Sequence, residues 1–426
     1  MRLIYTIFLG TLFLQSCINY APIPDSKIPL DLRIKKSNEY IKEQKAALNL
    51  SLNEKAELIQ KNIESNFFLD NYALIAKGIS KLKPQRKFGH VEYSGLLLAA
   101  CSMKYSVQKS PETLLLMNKI VDGLIAMDEA NGLDGYMPRM VEEKNSKLVV
   151  INNQCHSNAY THLFLGYYLA AKADATLKDK IQAHSEKILS HYLKHNFNLK
   201  TNLGEDVNHS QLNKSSSLSR QLDALVACEF GLYIISNESL KTALKEKLKA
   251  FHKRGYHKAT FTLFDLGFFR IPTHSSEYLN MMRLWLLNMI KPTEAYGDLL
   301  GRVYKNQRKE FNPFFMAIYA GLVPDHQVDL AKMKQYLKSF PLNPSDHEII
   351  NSRNEATKLK FLSPIIKNKA IAESKVPLPI YMRPLTGVEW KRNPYRVDGN
   401  FHKSATVYYT GVDYLLAYWL SRYYDL

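Results

Sequence analysis

No stretch of this 426-residue chain is long and apolar enough to stay in a bilayer as a helix. The longest apolar run, Leu3 to Leu14, is about a dozen residues where about 20 are needed. Cysteine is scarce, at four residues. The three beyond Cys17 are Cys101, Cys155 and Cys228, an odd number with two in apolar runs, which excludes a disulfide framework and reads as buried free thiols. Acids are few beside bases, 40 against 57, and the formal charge of +17 is spread along the chain. Such a surface suits an acidic polysaccharide, lipid-borne phosphates or anionic lipid, or is simply a lysine-rich composition. The phosphate loop G-x-x-x-x-G-K-[ST], the G-x-S-x-G elbow and the dinucleotide fingerprint are all missing. His191 and His195 have zincin spacing, but Tyr192 stands where the catalytic glutamate belongs, so neither a metal nor a cofactor is expected. No regular 34- or 40-residue period runs through the chain, which argues against an open helical solenoid.

The N-terminus carries an export signal. Arg2 supplies a positive start, the run to Leu14 is apolar, and Leu14-Gln15-Ser16-Cys17 has a small residue before a cysteine, as in a lipobox. The expectation is a signal peptide over 1–16, a lipid on the Cys17 thiol, a tether over 17–50, and one domain over 51–426. Cleavage removes Arg2 and takes the formal charge from +17 to +16. Acyl chains contribute roughly 0.8 kcal/mol per buried methylene and so hold a domain at a membrane without a spanning helix. Ile rather than Asp at position 18 resembles lipoproteins sent to the outer membrane of Gram-negative cells. In the cell envelope, nucleic acid is not an expected partner.

Six segments are apolar nearly all round: 92–105, 158–173, 217–235, 276–290, 312–322 and 410–424. Helices of that kind are buried on every side. Each of the first five precedes a charged, one-sided helix, over 111–129, 175–195, 239–254, 293–308 and 326–339. In 175–195, Ile181, Ile188, Leu189, Tyr192 and Leu193 share one face and five charged residues take the other. The sixth buried helix ends the chain, and the amphipathic stretch 52–80 is available as its outer partner. Six inner helices wrapped by six outer ones make an all-α, (α/α)6 toroid.

Over about 65–426 the sequence resembles the six-hairpin glycosidase-like proteins. The resemblance is most visible in EYSGLLLAACSMKYSVQKSPETLLLMNKIVDGLIAMDEANGLDGYMPR and in GVEWKRNPYRVDG followed by YTGVDYLLAYWLSRYY. It implies the same toroid and a polysaccharide or oligosaccharide substrate, neutral or acidic; a fold alone does not fix the reaction.

Loop lengths select a working face. The links 106–110, 236–238, 291–292 and 323–325 are short, whereas 130–157, 196–216, 255–275 and 340–409 are long and all lead into inner helices. The long loops therefore gather where the inner helices begin, and long loops in a compact domain are usually functional. The insertion 340–409, rich in proline and aromatics with Trp390 among them, is a wall of the cleft or a strap completing the ring.

Glycoside hydrolysis needs two carboxyl groups across a cleft, about 5–10 Å apart. Acids on the chosen face are Glu92, Asp134, Glu205, Asp206, Glu277, Glu389 and Asp398. Glu92 opens a wholly apolar helix, where burial is expected to raise its pKa toward that of an acid catalyst. Asp134 and Asp206 sit in polar turns. Near the start of 158–173 there is no acid but Asn153, His156, Asn158 and Tyr160, which with Arg139 suit a uronate lyase, in which an Asn or Arg neutralises the sugar carboxylate and a His or Tyr moves the proton. Arg220, inside an apolar helix, is expected to meet an acid such as Asp223, Glu92 or Asp413. The three readings are a hydrolase with Glu92, Asp134, Asp206 and His156 as catalytic candidates, a uronate lyase, and a non-catalytic binder of glycan or protein. Tyr136, Arg139, Asn158, Tyr160, Arg220 and Trp390 are the candidate substrate contacts.

Overall fold

A computed structural model describes residues 26–84, 86–132, 135–215, 217–258, 274–351, 357–361, 370–400 and 406–426. Cys17 and Asp134 lie outside the described residues. Thirteen helices occur among those described. The inner six are α3 (Val91–Gln108), α5 (Ser157–Ala173), α7 (Leu218–Ile234), α9 (His274–Ile290), α11 (Pro313–Leu322) and α13 (Val412–Tyr423). Each packs on the next and α13 packs on α3, which closes the ring. Their outer partners are α4 (Pro111–Glu129), α6 (Ala175–Lys194), α8 (Glu238–Lys253), α10 (Glu294–Gln307) and α12 (Leu330–Lys338), with α2 (Leu52–Asn66) covering α13. The chain is therefore an (α/α)6 toroid. Among the described residues no helix is long and apolar enough to cross a membrane.

Capping separates the two layers. The outer helices start on side-chain acceptors: Ser51, in a capping box with Glu54, Ser110, Asp174, Asn237, Thr293 and Asp329. Of the inner helices, α3, α5, α7 and α13 have no side-chain cap, and Asn312 caps α11. The centre of the ring is correspondingly tight. A Cβ on Gly95 of α3 would stand 2.7 Å from the His162 carbonyl oxygen of α5, and one on Gly166 would stand 2.6 Å from the Gly95 carbonyl oxygen. The two glycines let these helices touch backbone to backbone.

Two features depart from the sequence reading. Residues 30–46, expected as tether, form a helix, α1 (Leu30–Ala46), docked by Arg33 on Glu348, by the Ser37 hydroxyl on the Ile350 N–H, and by Tyr40 stacked on His347. The long links also carry strands. β2 (Phe88–His90), β3 (Met140–Lys144) and β4 (Lys147–Asn152) form one antiparallel sheet, and β5 (Asn198–Lys200) with β6 (Asp206–Gln211) forms a hairpin. The 340–409 segment is both wall and strap. Trp390 is buried in it against Phe340, and its indole N–H donates to the Asp413 carbonyl at 2.7 Å.

Candidate functional site

The first turns of α3, α5 and α9 meet a short 3-10 turn of the strap, Glu389–Lys391, around a cavity of about 40 Å³. Glu92, Tyr93, Asn158, His162, Ser275, Tyr278 and Lys391 supply its polar lining, and Leu96, Leu279 and Val388 its apolar part. A space of this size holds a few waters or one small polar group. The uncapped starts of α3 and α5 turn the positive ends of two helices toward it.

Among the described residues, Glu92 is the one carboxylate of the lining. Burial pushes its carboxyl up, but His90, His162, Arg139 and Lys391 outweigh that and hold it below the usual carboxylate range. The expectation of a raised Glu92 is thus corrected: its surroundings favour the anion. The Arg139 guanidinium lies 3.5 Å from Glu92 Oε1. Burial depresses Lys391, reinforced by Lys77, Arg392 and Arg139 and opposed by Glu92.

His162 lies one turn inside the mouth. Its Nδ1 is 2.6 Å from the Asn158 carbonyl oxygen, which can only accept, so the proton sits on Nδ1 and Nε2 keeps its lone pair. Burial lowers the imidazole below its ordinary value, so the ring is neutral at pH 7, where Arg139 and Lys391 are the charges left to hold Glu92 as the anion. Burial, with the charges of Asp413, Tyr93 and Glu92, keeps the Tyr278 hydroxyl protonated. Three buried side-chain atoms at this site have no hydrogen-bond partner: Tyr278 Oη, Asn158 Oδ1 and Glu92 Oε1. Buried polar atoms left open in this way each cost about 1–3 kcal/mol, and a ligand can satisfy them.

Behind the strap wall lie two more carboxyls. Asp413 accepts the Glu389 backbone N–H at 2.6 Å, and Glu389 accepts from Arg383 at 3.0 Å. Burial pushes Asp413 and Glu389 each up to about 7.

The structure brings Glu92, Arg139 and Asn158 of the sequence candidates together and separates the others. Asp206 is exposed and paired with Lys200 at 2.6 Å. His156 precedes α5 with Nδ1 on the Asn208 carbonyl at 2.7 Å, near His209 rather than the cavity. Tyr136 and Tyr160 are core residues: the Tyr136 hydroxyl donates to the Asn153 carbonyl and the Tyr160 hydroxyl accepts the Met137 N–H. Trp390 is a buried peg of the strap and presents no sugar-stacking face. Arg220 is half-buried with its guanidinium 3.4 Å from His209 and meets no acid among the described residues, because Arg283 has taken Asp223, at 2.6 and 3.0 Å. His162, Tyr278 and Lys391 are absent from the sequence candidates. His162 follows Asn158 by four residues, one helical turn along the same face, and that spacing was the available signal.

No protein-family model matches the chain, and no curated protein matches it. Among solved structures, the chain is similar to a sugar epimerase from a ruminal bacterium, at 12% identity and a TM-score of 0.39 over 63% of this chain and 79% of that one. It is also similar to the cellulase Cel9M of C. cellulolyticum, at 13% identity and a TM-score of 0.41 over 80% and 86%.

Proposed function

We propose that the chain is a glycan-processing enzyme, held at the cell envelope by a lipid on Cys17, that moves a proton in the mouth cavity. One observation carries the chemistry: a neutral histidine with an open Nε2, an unpartnered tyrosine hydroxyl, an amide and a lysine share one small pocket with Glu92, the one carboxylate among its described lining residues, and Arg139 pairs with that carboxylate. The glycan rests on the sequence resemblance to the six-hairpin proteins and on a basic surface suited to an acidic polymer.

This set fits lyase-type cleavage of a uronate-bearing chain better than hydrolysis, and because the cavity as it stands holds only a few waters, this reading requires the strap turn Glu389–Lys391 to move outward and admit the sugar. In the lyase step, His162 Nε2 takes the proton from the carbon beside the sugar carboxylate. The electron pair left behind forms a carbon–carbon double bond as the bond to the leaving oxygen breaks, and the Tyr278 hydroxyl gives that oxygen its proton. Lys391 and Arg139 offset the charge that grows on the carboxylate, and Glu92 keeps both cations in place. The proton on His162 then restores Tyr278.

A hydrolase reading keeps one support. Glu92 is held down while Asp413 is pushed up, and such a divided pair is what an acid and a base require. Asp413 does not line the cavity, so that reading needs the strap to shift.

The test is to incubate the mature chain with neutral and acidic glycans while following both ultraviolet absorbance and new reducing ends. An absorbing unsaturated product is expected. Reducing ends without absorbance would move the assignment to hydrolysis, and neither signal would leave a binding protein.

A further inference from the structure

The helix α1, expected as tether, does not sit alone on the surface. It lies along residues 345–350, whose Ser345 bridges Tyr408 and whose Asp346 accepts the backbone N–H groups of Thr406 and Val407. The strand β7 (Val407–Tyr409) then pairs with β1 (Gly78–Ser80), and β1 runs directly into the turn at 81–84. Two strand spacings, about 10 Å, therefore separate the bed of α1 from β1. Hydrogen bonds hold the turn: the Lys81 N–H donates to the Thr406 carbonyl, the Leu82 N–H to the Ser80 hydroxyl, and the Lys83 N–H to the Ser80 carbonyl.

This strip concentrates exposed apolar side chains. Of the twelve exposed large apolar residues described, four fall on it: Ile28 and Leu32, each 41% exposed, Leu82 at 82%, and Tyr408. No other exposed large apolar residue described is as open as Leu82. Ile28 stands just before α1 and Leu32 in its first turn, about a quarter-turn round the helix from the buried row Arg33, Ser37 and Tyr40. The same strip is basic. Residues 27–46 hold five lysines and one arginine against three acids, a net of +3, and Lys81 and Lys83 flank Leu82. Lys35, Lys36 and Lys83 are exposed, and Lys81 lies over the Tyr408 ring at 4.5 Å. Leucines standing out of a field of lysines form an interfacial pattern: the apolar tips enter the acyl boundary while the ammonium groups meet lipid phosphates.

We infer that the face formed by α1 and the turn at 81–84 lies flat on a lipid surface bearing anionic headgroups, with Leu32 and Leu82 inserted. The chain enters this face from its N-terminal side, where Cys17 is the expected lipid attachment. An acyl anchor alone leaves a domain free to turn. A second contact on the same side fixes its orientation. The inference is independent of the reaction at the mouth and does not require Cys17 to be acylated.

The test uses the whole mature chain, residues 17–426 with Cys17→Ser, sedimented with vesicles of phosphatidylcholine alone or mixed with phosphatidylglycerol. Binding to the mixed vesicles and little binding to neutral ones is expected. Leu32→Asp and Leu82→Asp should each weaken it by about tenfold, the order expected for withdrawing an inserted leucine and adding a like charge. Leu115→Asp on α4 and Leu203→Asp in the β5–β6 loop add the same charge at exposed sites off the strip and should leave binding nearly unchanged. Equal weakening by all four variants would mean that bulk charge alone binds the vesicles and would overturn the inference, as would failure of the parent chain to sediment. All four positions are exposed, so the circular dichroism of the variants should match the parent. A glycan assay on the same variants should read unchanged, which separates this inference from the proposed reaction.

Discussion

Replacing Asp223 by Asn should strip the toroid of a large share of its stability. Asp223 lies in α7 with its carboxylate 2.6 and 3.0 Å from two nitrogens of Arg283 in α9, and it accepts the hydroxyls of Ser157 at 2.7 Å and Thr161 at 2.8 Å in α5. Both charged side chains are almost wholly buried, at 3% and 1% exposure. An amide of the same volume keeps one acceptor oxygen for one of the two hydroxyls and can donate its NH2 to the oxygen of the other, so few of these neutral hydrogen bonds are lost. The Arg283 charge, however, keeps only the Asn280 amide oxygen at 3.3 Å. Leaving a buried charge without its counter-ion costs about 3–5 kcal/mol, whereas removing both charges together is often neutral. Urea titration followed by tryptophan fluorescence should therefore show Asp223→Asn destabilised by about that amount and Asp223→Asn/Arg283→Met recovering most of it. If the single variant loses less than about 1 kcal/mol, or the double variant loses the sum of the two single ones, the pair does not act as one buried unit and the reasoning fails. The consequence reaches the site, because Ser157 and Thr161 belong to the turns of α5 that present Asn158 and His162.

Gly95→Ala should destabilise the protein by about 1–3 kcal/mol, since its methyl group would press on the His162 backbone, and it should lower turnover by shifting that residue. Lys55→Met should cost about 2–4 kcal/mol by the same titration. It leaves the Lys338 and Phe340 carbonyls, which the buried ammonium now satisfies at 2.6 and 2.7 Å, without a donor where α2 closes the ring. The Asp413 carboxyl is pushed up to about 7 from an unfolded value of about 3.8, so the folded state binds the extra proton and this group's stability contribution falls as pH rises from about 4 through 7. Relative to wild type, Asp413→Asn should accordingly gain stability at pH 8 over pH 5, and an unchanged difference would contradict the assignment. Asp206→Ala, which only breaks an exposed pair with Lys200, should leave activity at the wild-type level in the glycan assay.

The ring was legible in the sequence because its signals are local. Helices apolar on every side, as in 158–173, cannot face water, and charged one-sided helices such as 175–194 must lie outside them. Link lengths then picked the end of the ring at which the candidate cavity lies. The site was legible only at Glu92, Arg139 and Asn158, which stand at helix starts or beside them. Tyr136, Tyr160 and Trp390 carry polar tips that suggest substrate contact, yet each tip is satisfied by a backbone group, a pairing that depends on how distant loops fold over one another. Arg220 was assigned an acid because Arg283, in the next inner helix, offers no sequence sign that it reaches Asp223 first. Lys391 could not be read either, since it lies in irregular chain whose path follows from the docking of Trp390 and Glu389 on Asp413.

The central claim is that the reaction takes place in the mouth cavity, and two histidines six residues apart test it most directly. Sequence alone favours His156; the geometry favours His162. The specificity constant, kcat/KM, of His162→Gln and of His156→Gln should be measured on the same acidic glycan beside wild type, with unfolding curves to show that both variants are folded. The account predicts that His162→Gln falls by about 10²–10⁴-fold, the usual contribution of a positioned acid–base group, while His156→Gln stays near wild type. A fall at His156 with His162→Gln left active would place the chemistry outside the cavity and contradict the account.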